Sequence, residues 1–148
     1  MDPERSSALL SEAVPEAAAG HTLRRTLRRV LDDSLGIEGA LVATTEGLLV
    51  EAEFASTAQV TSRGQAEAVA AMASAAVGIG VHFTRHLGLG DSTACVVQGG
   101  NGCIGVQRVG SRGVLVLFGG DGLTMARLNL AVRQALPPVH EVLVGMGV

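Results

Sequence analysis

Residues 36–50, GIEGALVATTEGLLV, have the pattern of two β-strands joined by a tight turn. The first strand is predicted at residues 40–44 and the second at residues 48–54, with Thr45-Glu46-Gly47 between them. Gly47 can adopt the positive φ that such a turn requires. Alternation in the second strand predicts one buried face, formed by Leu48, Val50, Ala52 and Phe54. We therefore predict an antiparallel hairpin.

An amphipathic helix is predicted before the hairpin, at residues 21–35. Its apolar stripe is formed by Leu23, Leu27, Val30 and Leu31. Its polar side carries four arginines, Arg24, Arg25, Arg28 and Arg29. Asp32 and Asp33 each follow one of these arginines by four residues, within reach of an ion pair along the helix. Residues 1–20 are predicted to be a flexible N-terminal tail.

A long helix is predicted after the hairpin, at residues 58–86, and would be about 40 Å long if continuous. Between residues 66 and 81 it is apolar on nearly every side. A helix on the surface of a monomer has one polar side, so both sides of this one need a cover. The sheet can cover one side, and a second copy of the chain is the simplest cover for the other. We do not expect this alanine-rich segment to insert into a membrane.

Three further strands are predicted at residues 93–98, 104–109 and 113–118, followed by a helix at residues 123–136. Pro137 and Pro138 are expected to end that helix, leaving an apolar C-terminal tail at residues 137–148. The element order is α-β-β-α-β-β-β-α. Because the connections between strands are short, the predicted fold is α+β with a mainly antiparallel five-stranded sheet flanked by helices. The structured domain is predicted to span residues 21–136.

Residues 100–105, GNGCIG, match the G-x-G-x-x-G pattern of dinucleotide-binding turns. That function needs a helix after the glycines, so that the helix N-terminus faces the pyrophosphate. Here the glycines precede a predicted strand. We therefore interpret them as a hairpin turn, and we predict no cofactor.

His82 and His86 lie four residues apart on the long helix, a spacing that can hold zinc. No third ligand is evident, and a polar helix end is the simpler interpretation. Cys95 and Cys103 lie on facing strands, but a turn near residues 100–101 pairs Gln98 with Cys103 and leaves Cys95 offset. We interpret both cysteines as small buried hydrophobic residues. No catalytic residue and no metal site are predicted.

The chain has a net charge of -3 and a pI near 5.7, which gives no general attraction to nucleic acid or to anionic membranes. All eleven basic residues are arginine, which is typical of a GC-rich bacterial genome. The two cysteines make no disulfide framework, and the charged N-terminus has no signal-peptide pattern. We therefore expect a cytoplasmic protein.

Four segments together resemble the Roadblock family, which includes the dynein light-chain roadblock proteins. They are the hairpin at residues 36–50, GDSTACVV at 90–97, GCIGVQRVG at 102–110 and VLVLF at 114–118. The resemblance covers residues 21–136 and includes the element order. It implies a Roadblock/profilin-like fold without chemistry of its own.

The resemblance implies a homodimer that forms through the long helix and the third strand. The expected interface residues are Ala66, Val69, Ala70, Ala73, Val77, Thr93, Cys95 and Val97. It also implies a small Ras-like GTPase as partner, which the dimer would activate or scaffold in signalling. The four arginines of the first helix are candidate contacts for such a partner, although we favour the simpler interpretation that they form the solvated face of an amphipathic helix.

Two alternatives belong to other classes of protein. One is a small-ligand-sensing domain whose glycine-rich loops form a pocket. The other is a small metal-dependent enzyme that uses His82, His86 and Asp91.

Overall fold

The computed structural model describes residues 16–58 and 62–148 and confirms the predicted element order. In the described residues the elements are α1 (Glu16–Asp33), β1 (Gly39–Thr44), β2 (Leu49–Phe54), α2 (Arg63–His86), β3 (Ala94–Gly99), β4 (Gly102–Val109), β5 (Gly113–Gly119) and α3 (Met125–Met146).

The five strands form one sheet in the order β2-β1-β5-β4-β3, and every neighbouring pair is antiparallel. The strand with the most continuous apolar sequence, β5, lies in the centre of the sheet. Its residues 113–117 are all buried, because helices cover both of its faces. The sheet ends at β2 on one side and at β3 on the other.

Helices α1 and α3 pack on one face of the sheet and α2 packs on the other. The α1/α3 side is built from large side chains, among them Leu27, Leu117 and Leu128, none of which is accessible to solvent. The α2 side is built largely from smaller ones, including Ala43, Ala70 and Ala73. Small residues let α2 lie close to the sheet.

Helix α1 begins at Glu16, so residues 16–20 are helical rather than part of a flexible tail. The rest of the predicted tail, residues 1–15, lies outside the described residues. The buried stripe of Leu23, Leu27, Val30 and Leu31 is confirmed. The helix ends before Gly36, which has a φ of 90°.

The predicted end of the last helix at Pro137 is wrong, because α3 continues through both prolines to Met146. Each proline removes one helical hydrogen bond. Both prolines are exposed, as are the residues four positions earlier, Arg133 and Gln134, so water can reach the freed carbonyl groups. Val139 and Leu143 are fully buried beyond the prolines. Their packing holds residues 137–146 in the helix, and these residues are not a separate tail.

A β-bulge changes the alternation that was predicted for β2. The register between β1 and β2 shifts at Val42/Ala43. As a result Val50 packs on the α1/α3 side, whereas Ala52 packs on the α2 side. Leu48, which was predicted to be buried, precedes the strand and is exposed.

Candidate partner interface

Helix α2 begins with a capping box, in which the Ser62 hydroxyl accepts a hydrogen bond from the Gln65 amide and the Gln65 side chain reaches back to the Ser62 backbone. One side of the helix then packs on the sheet through Ala66, Ala70 and Ala73. The Ser74 hydroxyl donates a hydrogen bond of 2.5 Å to the Thr45 carbonyl oxygen. These contacts fix which side of α2 faces the chain's own core.

The opposite side of α2 is apolar and exposed. Met72, Ile79 and Phe83 leave 63%, 57% and 67% of their surfaces accessible. Smaller apolar residues, among them Ala68 and Ala75, are exposed along the same helix. Large apolar side chains gathered on one surface are typical of a contact with another molecule.

Strand β3 continues this surface at the edge of the sheet. It pairs with β4 on one side and with no other described strand on the other. Val97 is 53% exposed, and Val96 is exposed as well. An exposed apolar edge strand offers unpaired backbone groups to a further strand. Leu87 and Leu89, on the connection from α2 to β3, are also exposed and apolar.

The residues predicted for the dimer interface divide into two groups. Thr93 and Val97 are exposed at the β3 edge, where a partner can reach them. Ala66, Ala70 and Ala73 are buried in the chain's own core, and the partly buried Val69, Val77 and Cys95 pack against the same core. The helix surface left free for a partner is therefore the side with Met72, Ile79 and Phe83.

The sequence profile of the Roadblock/LC7 domain matches residues 24–119 of the chain, from α1 to the end of β5. The chain belongs to this family.

Solved structures of other Roadblock/LC7 proteins share the fold at low sequence identity. The gliding protein MglB of Thermus thermophilus is 17% identical, with a TM-score of 0.74 over 84% of this chain and 90% of that one. An MglB structure with a tetrameric arrangement is also 17% identical, with a TM-score of 0.75 and the same coverage of both chains. A Roadblock/LC7 domain from Streptomyces avermitilis is 19% identical, with a TM-score of 0.72 over 82% of this chain and 97% of that one. No curated protein is significantly similar in sequence.

By length and composition alone, α2 of this Roadblock/LC7 domain could also cross a membrane. Three of its alanines pack against the sheet of the same chain, and its capping box places polar groups at its start. The core helix of a water-soluble domain passes the same test of length and composition. Only 17% of the membrane-length window of α2 is buried, and length and composition alone are weak evidence for a membrane span.

The arginines of α1 make different contacts from those expected along the helix. Arg24 lies 3.3 Å from a carboxylate oxygen of Glu51, and Arg28 lies 2.5 Å from one of Glu53. Both acids lie on β2, and the bulge directs them toward α1. The expected ion pairs to Asp32 and Asp33, which lie within the described part of α1, do not form. Both arginines are about half exposed, so the pairs orient α1 on the sheet and add little to stability.

Arg25 and Arg29 remain exposed, and within residues 16–58 and 62–148 neither forms an ion pair. Of the four arginines predicted as candidate partner contacts, these two are free to serve. Arg29 borders a cleft of about 390 Å³ between α1 and α3, together with Asp33 and Gln134.

Gly100 and Asn101 form the predicted turn between β3 and β4, whereas Gly102 and Gly105 lie in β4, and no helix follows them. Gly102 has a φ of 151°, and a Cβ there would lie 2.1 Å from the Gly119 carbonyl oxygen. The glycine is needed for close backbone packing. Two adjoining hollows lie at this end of the sheet, and the larger, about 560 Å³, is bordered by Glu38, Asn101 and Asp121 among others.

The two cysteines considered for chemistry do not come together, and His82 and His86, both exposed on the last turns of α2, border one hollow without a third metal ligand among the described residues. Gln98 pairs with Cys103 as predicted, and Cys95 pairs with Val106. The two cysteines pack on opposite faces of the sheet, so they cannot form a disulfide. Among the described residues, no three His, Cys, Asp or Glu side chains gather in a metal-binding group.

Asp91, the third residue considered for an enzyme site, is bound to Arg85 instead. The Arg85 Nε atom donates a hydrogen bond of 2.6 Å to its carboxylate. This hydrogen bond, with the positive charge of Arg85, holds the pKa of Asp91 below its ordinary value. An ionised carboxylate paired in this way is poorly suited to act as a general base.

Proposed function

We propose that this Roadblock/LC7 chain is a non-enzymatic, homodimeric regulator that binds a small Ras-like GTPase. The observation that carries the proposal is the exposed apolar side of α2 beside the free edge of β3, in a domain of this family. A second copy placed there covers Met72, Ile79 and Phe83 and can join the two sheets through β3. The tetrameric arrangement of one MglB structure supports association between copies of this fold.

The GTPase partner is inferred from the family and from the gliding protein MglB among the structural neighbours. The chain contributes a surface to the complex and no catalytic group, so any stimulation of GTP hydrolysis works by positioning residues of the GTPase. Arg25 and Arg29 are the candidate contacts, because they are the unpaired members of the arginine set on α1. The proposal places the protein in the cytoplasm, where such a GTPase would be found.

The test is a capture experiment from lysate of the source cell, on immobilised protein, with GDP or a non-hydrolysable GTP analogue. Mass spectrometry of the bound fraction is expected to show a small GTPase with the GTP analogue and little of it with GDP. If no small GTPase is captured with either nucleotide, the proposal is contradicted. Single-turnover GTP hydrolysis by the recovered GTPase, with and without the chain, then separates activation from scaffolding.

A variant with Arg25→Glu and Arg29→Glu tests the contact residues. It is expected to capture less GTPase, because charge reversal at a contact weakens both encounter and binding. Arg133→Glu, an exposed arginine on α3, is the matched control. If the double variant and Arg133→Glu lose the same amount of captured GTPase, the effect comes from the change in net charge and not from the α1 surface.

A small-ligand-sensing domain is the second candidate function, because of the polar hollow beside the glycine-rich turns. A thermal-shift series with nucleotides and small metabolites tests it. A rise in the melting temperature that Asn101→Ala abolishes would favour the sensing function over the GTPase regulator.

A further inference from the structure

Strand β2 forms the edge of the sheet opposite β3, so the proposed dimer leaves it uncovered. It pairs with β1 on one side and with no other strand of the described residues on the other. In an antiparallel pair, alternate residues direct their backbone N–H and C=O groups away from the neighbouring strand. The Ala55 amide donates a hydrogen bond of 2.8 Å to the Glu38 carbonyl oxygen, on the β1 side. The backbone groups of Phe54 and Ala52 therefore face outward, where a further strand would have to bind.

Side chains of the same chain already occupy one outward-facing group at each of these two residues. The Ala52 amide donates a hydrogen bond of 3.3 Å to a carboxylate oxygen of Glu51. The Phe54 carbonyl oxygen accepts a hydrogen bond of 3.2 Å from the Arg28 guanidinium. A strand that pairs with β2 exchanges two hydrogen bonds with such a residue. Ala52 and Phe54 can each offer only one of them unless the side chain is displaced.

Ion pairs and a bulge reinforce these two contacts. Arg28 lies 2.5 Å from a carboxylate oxygen of Glu53, and Arg24 lies 3.3 Å from one of Glu51. The two pairs hold the side chains over the strand. The bulge leaves Val50 without a partner on β1. A bulge bends an edge strand away from the line that an added strand would follow.

The opposite edge lacks this protection over most of its length. Strand β3 pairs with β4 at all six of its residues without a shift of register. Among the described residues, only the Ser92 hydroxyl bonds to the β3 backbone, and it does so at the first residue, by donating to the Ala94 carbonyl oxygen. The two edges of the sheet therefore differ in what they offer to another strand.

We propose that Arg28, Glu51 and Glu53 close the β2 edge to strand addition, so that a sheet joined through β3 stops at two chains. Two chains joined in that way carry one β2 strand at each end of their common sheet. If both ends were open, further pairs of chains could add through β2 without limit. The limit of two chains rests on the proposed homodimer, whereas closure of β2 belongs to each chain and can be tested alone.

The first test is the molar mass of a triple variant, Arg28→Ala, Glu51→Thr and Glu53→Thr, measured by light scattering over a range of concentrations. The variant removes the side chains that bind the edge and places residues suited to strands on β2. Exposed ion pairs add little stability, so the domain is expected to stay folded. We expect species larger than the parent, with a mass that rises with concentration. If the mass equals that of the parent at every concentration, the proposal is wrong.

The matched control is a second triple variant, Arg25→Ala, Asp32→Thr and Asp33→Thr. It removes the same kinds of charge, one arginine and two acids, from exposed positions of α1 that do not contact β2. It should keep the parent mass. A mass as large as that of the β2 variant would assign the association to net charge and contradict the proposal.

The β2 substitutions in a chain with Ile79→Glu separate closure of β2 from the proposed dimer. Ile79 lies on the exposed side of α2, which the dimer would cover. The Ile79→Glu chain is expected to be a monomer, and the β2 substitutions should turn it into a dimer. If Ile79→Glu alone keeps the parent mass, the proposed α2 interface is wrong, yet a further rise in mass with the β2 substitutions still supports closure of β2.

Hydrogen exchange of the Ala52 amide, measured by NMR, tests the contact without any association. Glu51→Ala is expected to speed this exchange about tenfold, because the amide loses its hydrogen bond to the side chain. Glu51→Gln keeps a side-chain oxygen and should exchange like the parent. Unchanged exchange in Glu51→Ala would overturn the proposal, even where the triple variant fails to fold.

Discussion

Replacing Ile79 by glutamate is expected to separate the proposed dimer while the domain stays folded. Ile79 is 57% exposed on the free side of α2. Burial of a whole isoleucine side chain contributes about 1.5–3 kcal/mol, so covering the exposed part contributes about 1–1.5 kcal/mol in each copy. A carboxylate in the same contact adds a desolvation cost of about 1–3 kcal/mol per copy. A two-fold dimer contains the position twice.

Together these terms weaken the dimer by about 4 kcal/mol or more, which is on the order of a thousandfold in the dimer dissociation constant. The molar mass is best measured by light scattering with refractive-index detection, because the chain has no Trp and no Tyr and absorbs little at 280 nm. Leu130→Glu is the matched control, since Leu130 is 53% exposed on α3, on the opposite face of the sheet. It should leave the mass unchanged.

Ala70→Glu should act differently from Ile79→Glu. Ala70 is fully buried against the sheet, so a glutamate there places an unpaired charge in the core and unfolds the domain. Far-ultraviolet circular dichroism separates loss of fold from loss of association. If Ile79→Glu keeps the parent mass while Leu130→Glu becomes monomeric, the interface lies on the α3 side and the reasoning about α2 is wrong.

Three further predictions concern stability and can be measured by urea unfolding followed by circular dichroism. Gly102→Ala is expected to lower the free energy of unfolding by about 2 kcal/mol or more, because the new Cβ would lie 2.1 Å from the Gly119 carbonyl oxygen; an unchanged midpoint would show that the turn can move aside. Leu128→Ala should cost about 2–5 kcal/mol, since Leu128 is fully buried over Gly105, and a loss below about 1 kcal/mol would contradict that packing. Pro137→Ala should raise the free energy of unfolding by about 1–2 kcal/mol. The gain from the restored helical hydrogen bond exceeds the loss caused by the greater conformational entropy of the unfolded chain. A lower free energy of unfolding would show that α3 needs the proline.

The order of the elements could be predicted because each element is marked locally. The turn at Gly47 separates two apolar runs, and the glycines before Cys103 separate two more. The strand β5 contains five apolar residues in a row, a pattern typical of a strand covered on both faces, and it lies in the centre of the sheet. Even the pairing of Gln98 with Cys103 followed from the length of the turn.

Features that depend on packing between distant residues could not be predicted. The sequence of α2 is apolar on nearly every side, so it shows that two covers are needed but not which side faces the sheet. The Ser74 contact with Thr45 and the small size of Ala70 decide that orientation, and both depend on the folded sheet. The prolines of α3 are a similar case. Local propensity predicts that the helix ends at Pro137, but in the folded chain the burial of Leu143 keeps the following residues helical.

The two sides of the sheet therefore allow folding and association to be changed separately. Large residues close the α1/α3 side, and substitutions there act on stability. The α2 side meets the sheet through alanines and leaves Ile79 and Phe83 exposed, so substitutions of these two are expected to act on the proposed dimer rather than on the fold. A folded, monomeric Ile79→Glu chain can then show which surface the proposed GTPase partner recognises. If the GTPase needs the dimer surface, the monomer loses capture; if it binds α1 through Arg25 and Arg29, capture persists without the dimer.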